Sequence, residues 1–107
     1  MYQIDNDKLN YQPELRLADR IFKIDNRLSV FRRISARLGE GGGDEFEIIV
    51  GEALGGAALE EILGMDLPYG IMQDLIIIVL AAIQDLPVEE ARRRFRGAGG
   101  ESGSGLL

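Results

Sequence analysis

Pro68-Tyr-Gly-Ile-Met-Gln-Asp-Leu-Ile-Ile-Ile-Val-Leu-Ala-Ala-Ile-Gln84 is the stretch whose reading decides the fold. Leu75 to Ile83 is an unbroken apolar run, and no other segment of the chain is as apolar. A membrane span needs about 20 such residues. This run is less than half that, and Gln73, Asp74 and Gln84 bracket it. A buried strand is the stronger rival, because Ile76-Ile77-Ile78-Val79 is β-branched and a short apolar run has no diagnostic period. Three features favour a helix over 68–84. Pro68 suits a first helical turn, the segment is long for a strand, and Ala81-Ala82 favour a helical end.

On that helix, positions 73, 74, 77, 81 and 84 share one side and read Gln, Asp, Ile, Ala, Gln. The rest is apolar almost all round, the pattern of a helix buried among others. Ile77 is the one large apolar residue on the polar side. Two expectations stay open for it: packing within the bundle, or contact with a partner or a second copy of the chain.

Outward from this segment, Asp66-Leu67-Pro68 enters it and Asp85-Leu86-Pro87 leaves it. Both read as a capping Asp followed by Pro early in a helix. Upstream, Asp44 is an expected N-cap. It opens a helix whose stripe is Phe46, Ile49, Val50, Ala53 and Leu54. Gly55-Gly56 breaks that helix, and a shorter piece, 57–63, turns Leu59, Ile62 and Leu63 inward. Gly51 and Gly55 allow close helix approach. Downstream, Pro87 to Arg96 is a helix with Val88, Ala91 and Phe95 inward. Its acids come first and its arginines last, as the helix dipole favours. Gly97 is its expected end, and 97–107 reads as a flexible Gly/Ser tail.

Nearer the N-terminus, Asp25-Asn26 is a helix start signal. Leu28, Phe31, Ile34 and Leu38 then form the inner stripe of 27–38, opposite Arg27, Arg32, Arg33 and Arg37. Glu14-Leu-Arg-Leu-Ala18 and Ile21-Phe-Lys-Ile24 alternate, which predicts a β-hairpin over about 14–24. A lone hairpin is marginal in water and must lie on the helices. The fold class expected is mainly α: a small bundle of four to five helices around 68–84, with residues 1–96 as one domain.

The chain has 107 residues, net charge −6, and neither Cys nor His. Thiolate and imidazole chemistry is therefore excluded, with the common zinc sites. Charge is unevenly placed: +2 over residues 1–40, −9 over 41–86, and +1 over 87–107. The basic ends either neutralise the acidic middle within the fold, or leave it to repel nucleic acid and attract a basic partner. Nucleic acid and membrane are not expected partners, and the polar N-terminus points to the cytoplasm.

Motifs that carry chemistry fail on inspection. Asp5-Asn6-Asp7 resembles the start of a calcium loop, but Asn10 and Arg16 stand where Gly and Glu are needed. Gly39-Glu-Gly-Gly-Gly43 is followed by Asp44-Glu45, which repels phosphate. The Asp-Leu-Pro triplets lack the serine of an acyl carrier protein. Glu60-Glu61 and Glu89-Glu90 are neighbours on helices and point apart. No enzyme activity, cofactor or metal is expected.

One family resemblance covers about residues 20–96. The order is Arg20-Ile-Phe-Lys-Ile-Asp25, an arginine-bearing helix, a glycine–acid loop, Gly51-Glu-Ala-Leu-Gly55, an apolar helix, and Val88-Glu-Glu-Ala-Arg-Arg-Arg-Phe95. It resembles the small tail assembly chaperones of long-tailed phages and prophages. The resemblance implies a non-enzymatic protein whose clients are the tape measure and tail tube proteins. It also implies self-association, and in many members a frameshifted longer form. The contact residues expected are Tyr69, Met72 and Ile77, with Arg32, Arg33 and Arg37 as a rim. The alternatives are a structural virion or head–tail connector component, or a small homo-oligomeric interaction domain.

Overall fold

Apolar periodicity at two spacings builds two kinds of element, and the helical kind dominates. The computed structural model describes the backbone of residues 1–101 and the side chains of residues 1–94. In chain order the elements are α1 (Asn6–Leu9), β1 (Glu14–Leu17), β2 (Arg20–Lys23), α2 (Leu28–Glu40), α3 (Glu45–Leu54), α4 (Gly56–Gly64), α5 (Tyr69–Gln84) and α6 (Val88–Glu101). The fold is mainly α with a short antiparallel hairpin.

The apolar run is a helix, not a strand. α5 buries Leu75, Ile76, Ile77, Val79, Leu80 and Ala81. Five of those six are large aliphatics, each worth about 1.5–3 kcal/mol when fully buried. α5 packs on α3 and α6, while α3 also carries α2 and α4. The centre is thus a pair of helices rather than α5 alone. Ile49, Ile62, Ile76 and Val79 are sealed in one cluster with Ile24, Val30 and Ile34.

The hairpin rests on this cluster by one face. Leu15 pairs with Phe22 across the strands, and both are buried. The backbone N–H of Asp25 donates to Ala53 O at 2.8 Å, which ties the hairpin's exit to the end of α3. That tether sets the approach of α2. The structure corrects the inner stripe expected there: Val30 and Ile34 are buried, Phe31 and Leu38 are half-buried, and Leu28 is 61% exposed. The start is corrected too. Arg27 is the N-cap, without a side-chain cap bond. The carboxylate of Asp25 instead accepts from the backbone and guanidinium N–H groups of Arg27.

Asp44 caps α3 as expected, accepting from Glu47 N. A Cβ placed on Gly51 would stand 3.2 Å from Leu59 Cδ2, so this glycine lets α4 lie close against α3. In α4, Ile62 is buried and Leu59 is half-buried, but Leu63 faces outward, against expectation. The two Asp-Leu-Pro triplets are also corrected. Asp66 (φ 51°) and Asp85 (φ 54°) are left-handed residues that end the preceding helices; neither caps the following one. Leu86 N donates back to Ala81 O at 2.9 Å, a Schellman-type closure of α5. The chain then turns by 111° into α6. α6 continues past Gly97, its expected end, to Glu101. Phe95, expected inward, lies outside the described side chains. Residues 102–107 of the expected tail lie outside the described residues altogether.

Ala18, in the hairpin turn, has φ 54°. A non-glycine residue there carries about 1–2 kcal/mol of steric cost. Ala18→Gly removes the clash but loosens the unfolded chain. The net expectation is a gain of up to about 1 kcal/mol, read as a higher urea midpoint with unchanged slope.

Candidate functional site

The start of α5 stands clear of the rest of the molecule. Pro68, Tyr69, Gly70 and Ile71 are exposed, and Tyr69 reaches 76% exposure. Two depressions flank this turn. One, of about 760 Å³, lies between α5 and α6 and is lined by Tyr69, Ile71, Gln73, Asp74, Ile77 and Arg92, among others. The second, of about 330 Å³, lies between α3 and α5; Phe46, Met72 and Ile76 line it, with Leu63 and Tyr69. Asp44, Glu45 and Glu47 border it too. Leu63, Tyr69 and Ile71 make an exposed apolar strip across both depressions. Burying such a strip against a partner is favourable at about 25 cal/mol per Å².

The six residues expected to form the contact surface are dispersed. Tyr69 lies on the strip. Met72 is half-buried beside it and packs on the main core. Ile77 is 2% exposed, in a small cluster with Ala81 and Ala91. Of the two expectations for this residue, the structure realises packing within the chain, because α6 lies over it. The arginines of α2 line neither depression. Arg33 Nε and Arg37 Nη1 each contact Glu52, at Oε1 and Oε2 respectively, both at 2.8 Å. Arg32 is exposed and forms no ion pair among the described residues. A basic rim around Tyr69 is therefore not what the fold builds.

Among the described residues, Arg27–Asp25, Arg93–Glu90 and Arg94–Glu90 pair within the ends, while four other ion pairs connect the basic ends to the acidic middle. Arg20 meets Glu61, Arg33 and Arg37 meet Glu52, and Arg92 meets Asp74 at 3.2 Å. Exposed pairs of this kind are worth about 0–1 kcal/mol each, but together they neutralise charge that would otherwise repel. Hydrogen bonding to Arg33 holds the Glu52 carboxyl below its ordinary 4.5, against an opposing desolvation effect. Glu45 moves the other way: burial, helped by the charge of Asp44, raises its carboxyl above 4.5.

Sequence reasoning missed four parts of this surface. Leu63 and Ile71 were counted with the apolar faces, and Arg92 with the helix dipole. In the sequence, Asp44 reads as a cap and Asp44-Glu45 as a pair that repels phosphate, and neither reading brings Glu47 to a shared lip. The run of three acids within four residues was the available signal. Among the described residues no three acidic side chains converge as metal ligands, and no polar side chain is fully buried. No single helix among them is long and apolar enough to cross a membrane. Compared with protein-family models, curated proteins and solved structures, the chain matches none.

Two outcomes test this geometry. Ile77→Glu places a carboxylate beneath α6, so it should lower the unfolding midpoint and the amide protection of α6; an unchanged midpoint would contradict the burial. The pH dependences of the two glutamates should oppose each other. The lowered folded pKa of Glu52 contributes stability above 4.5 that is lost as pH falls through the folded value. Glu45, raised, contributes stability below 4.5 that is lost as pH rises through its folded value. At neutral pH, Glu52→Gln should therefore destabilise and Glu45→Gln should stabilise slightly, with both differences shrinking in acid.

Proposed function

We propose that this chain is a non-enzymatic assembly chaperone for a phage or prophage tail, binding the tape measure and tail tube proteins in the host cytoplasm during morphogenesis. The carrying observation is the exposed apolar strip of Leu63, Tyr69 and Ile71. It sits on the α4–α5 corner, where well-packed helices hold it in place. A tape measure protein presents long apolar helical stretches before the tube polymerises. A preformed strip covers such a stretch in the helix-in-groove mode, and an aromatic anchor such as Tyr69 is a favoured residue for the centre of such a contact. The order of elements along residues 20–96 supports the same reading. The net negative charge keeps a complex of chaperone and apolar client from associating further.

Co-expression with a phage tape measure protein tests the proposal. The expected result is a soluble complex that Tyr69→Glu disperses, while the far-UV spectrum of the variant stays helical. The chaperone should also be missing from purified particles by mass spectrometry. Its presence there in stoichiometric amount would instead identify a virion or connector component. A strip that Tyr69→Glu frees only from a second copy of the chain would identify a homo-oligomeric interaction domain.

A further inference from the structure

The depression between α3 and α5 has an apolar floor and a one-signed lip. Phe46, Met72 and Ile76 make the floor, and the exposed rings and methyls of Tyr69 and Leu63 extend it outward. Asp44, Glu45 and Glu47 make the lip, and no Lys or Arg lines the depression. Three other acids of the middle segment, Glu52, Glu61 and Asp74, each meet an arginine, whereas Glu60, Asp66 and Asp85, like the lip acids, form no ion pair among the described residues; the lip differs from these in placing three carboxylates together beside an apolar floor. The three lip acids form no ion pair among the described residues, although arginines from both ends of the chain reach elsewhere along the same segment. Asp44 is partly engaged as the α3 cap. The α3 dipole offsets only about half a unit charge, so three carboxylates leave the lip clearly negative. Glu45 is only partly exposed, and burial first, then the neighbouring charge of Asp44, raises its carboxyl.

We propose that this mouth receives a cationic amphipathic helix. Its apolar side chains enter between Phe46, Met72 and Tyr69, and its lysines or arginines meet Asp44, Glu45 and Glu47. The volume of about 330 Å³ holds a few side chains rather than a whole helix. The occupant therefore lies across the opening and is anchored at successive turns. The lip fixes the sign of the partner's charge and its orientation, while the floor supplies most of the affinity. The assignment rests on the reading of the Tyr69 strip as a client-binding surface, and it names the chemistry of the client segment.

The test uses the full chain and fluorescent peptides of about 16 residues, long enough for about four helical turns. One peptide carries leucines on one face and lysines on the other, one replaces lysine by glutamate, and one replaces leucine by serine. Only the leucine–lysine peptide should bind. Its affinity should fall about tenfold between about 50 and about 500 mM salt, because the lip contacts are exposed and screened. The double variant Glu45→Gln/Glu47→Gln should weaken it at least about fivefold, by loss of two charge contacts. Glu14→Gln/Asp19→Asn, which removes the same charge from the hairpin, should leave it unchanged. Equal losses in the two double variants would reduce the effect to net charge and overturn the proposal. So would equal binding of the leucine–glutamate peptide, or a wild-type affinity in the lip variant. A dimer that the lip variant dissociates would overturn it too, by making a second copy the occupant. If the peptides discriminate as stated while the tape measure protein is not held, the chaperone function fails and the mouth stands. If the client is held without peptide discrimination, only the mouth fails.

Discussion

Everything in this fold hangs on the contact between α3 and α5. Each is apolar on more than one face, so neither is stable alone in water, and each supplies what the other lacks. Their contact closes a cluster in which Ile49, Ile76 and Val79 are essentially inaccessible. The remaining elements then attach to one or the other. α2 and α4 lie on α3, the first held by the Asp25–Ala53 backbone bond and the second admitted by the bare Cα of Gly51. α6 lies on α5, where Ile77, Ala81 and Ala91 form a cluster of their own.

The charge distribution follows the same logic. The middle of the chain, 41–86, supplies the α3–α5 pair and nine of the eighteen acids, with no Lys or Arg; the ends supply the arginines. Folding brings Arg20, Arg33, Arg37 and Arg92 onto Glu61, Glu52 and Asp74. The neutralisation is local, and it stops short of the α3 N-terminus. Polarity at the surface is therefore not uniform: it leaves an apolar strip on the α4–α5 corner next to a negative lip, the combination on which the proposed binding function rests.

Several features were legible because one physical cause sufficed. The length of 68–84, great for a strand, favoured a helix. Asp44 before a helical stripe was a cap, and the alternation over 14–18 and 21–24 marked a hairpin. Other features had two solutions of equal local merit. Leu28–Phe31–Ile34–Leu38 and Val30–Ile34 are both helical spacings, and local periodicity does not choose between them; in the fold Val30 and Ile34 enter the main cluster. Asp tolerates both an N-cap and a left-handed backbone, so the Asp-Leu-Pro triplets looked like starts when each Asp ends the helix before it. For Ile77, no pattern along α5 could show that α6 turns by 111° and covers it.

The sequence by itself determined the helical class, the hairpin, the order of elements from β1 onward and the lack of thiol or imidazole chemistry, because these follow from local periodicity and residue type; the short α1 was not among them. Tertiary structure alone decided which apolar residues remain outside. Leu63, Tyr69 and Ile71 are no less apolar than their buried neighbours. Their exposure depends on where the α4–α5 corner falls relative to α3 and α6, a property of packing between segments distant in the chain. The same holds for the lip acids, whose lack of an ion pair among the described residues is set by how far each arginine reaches in the assembled fold.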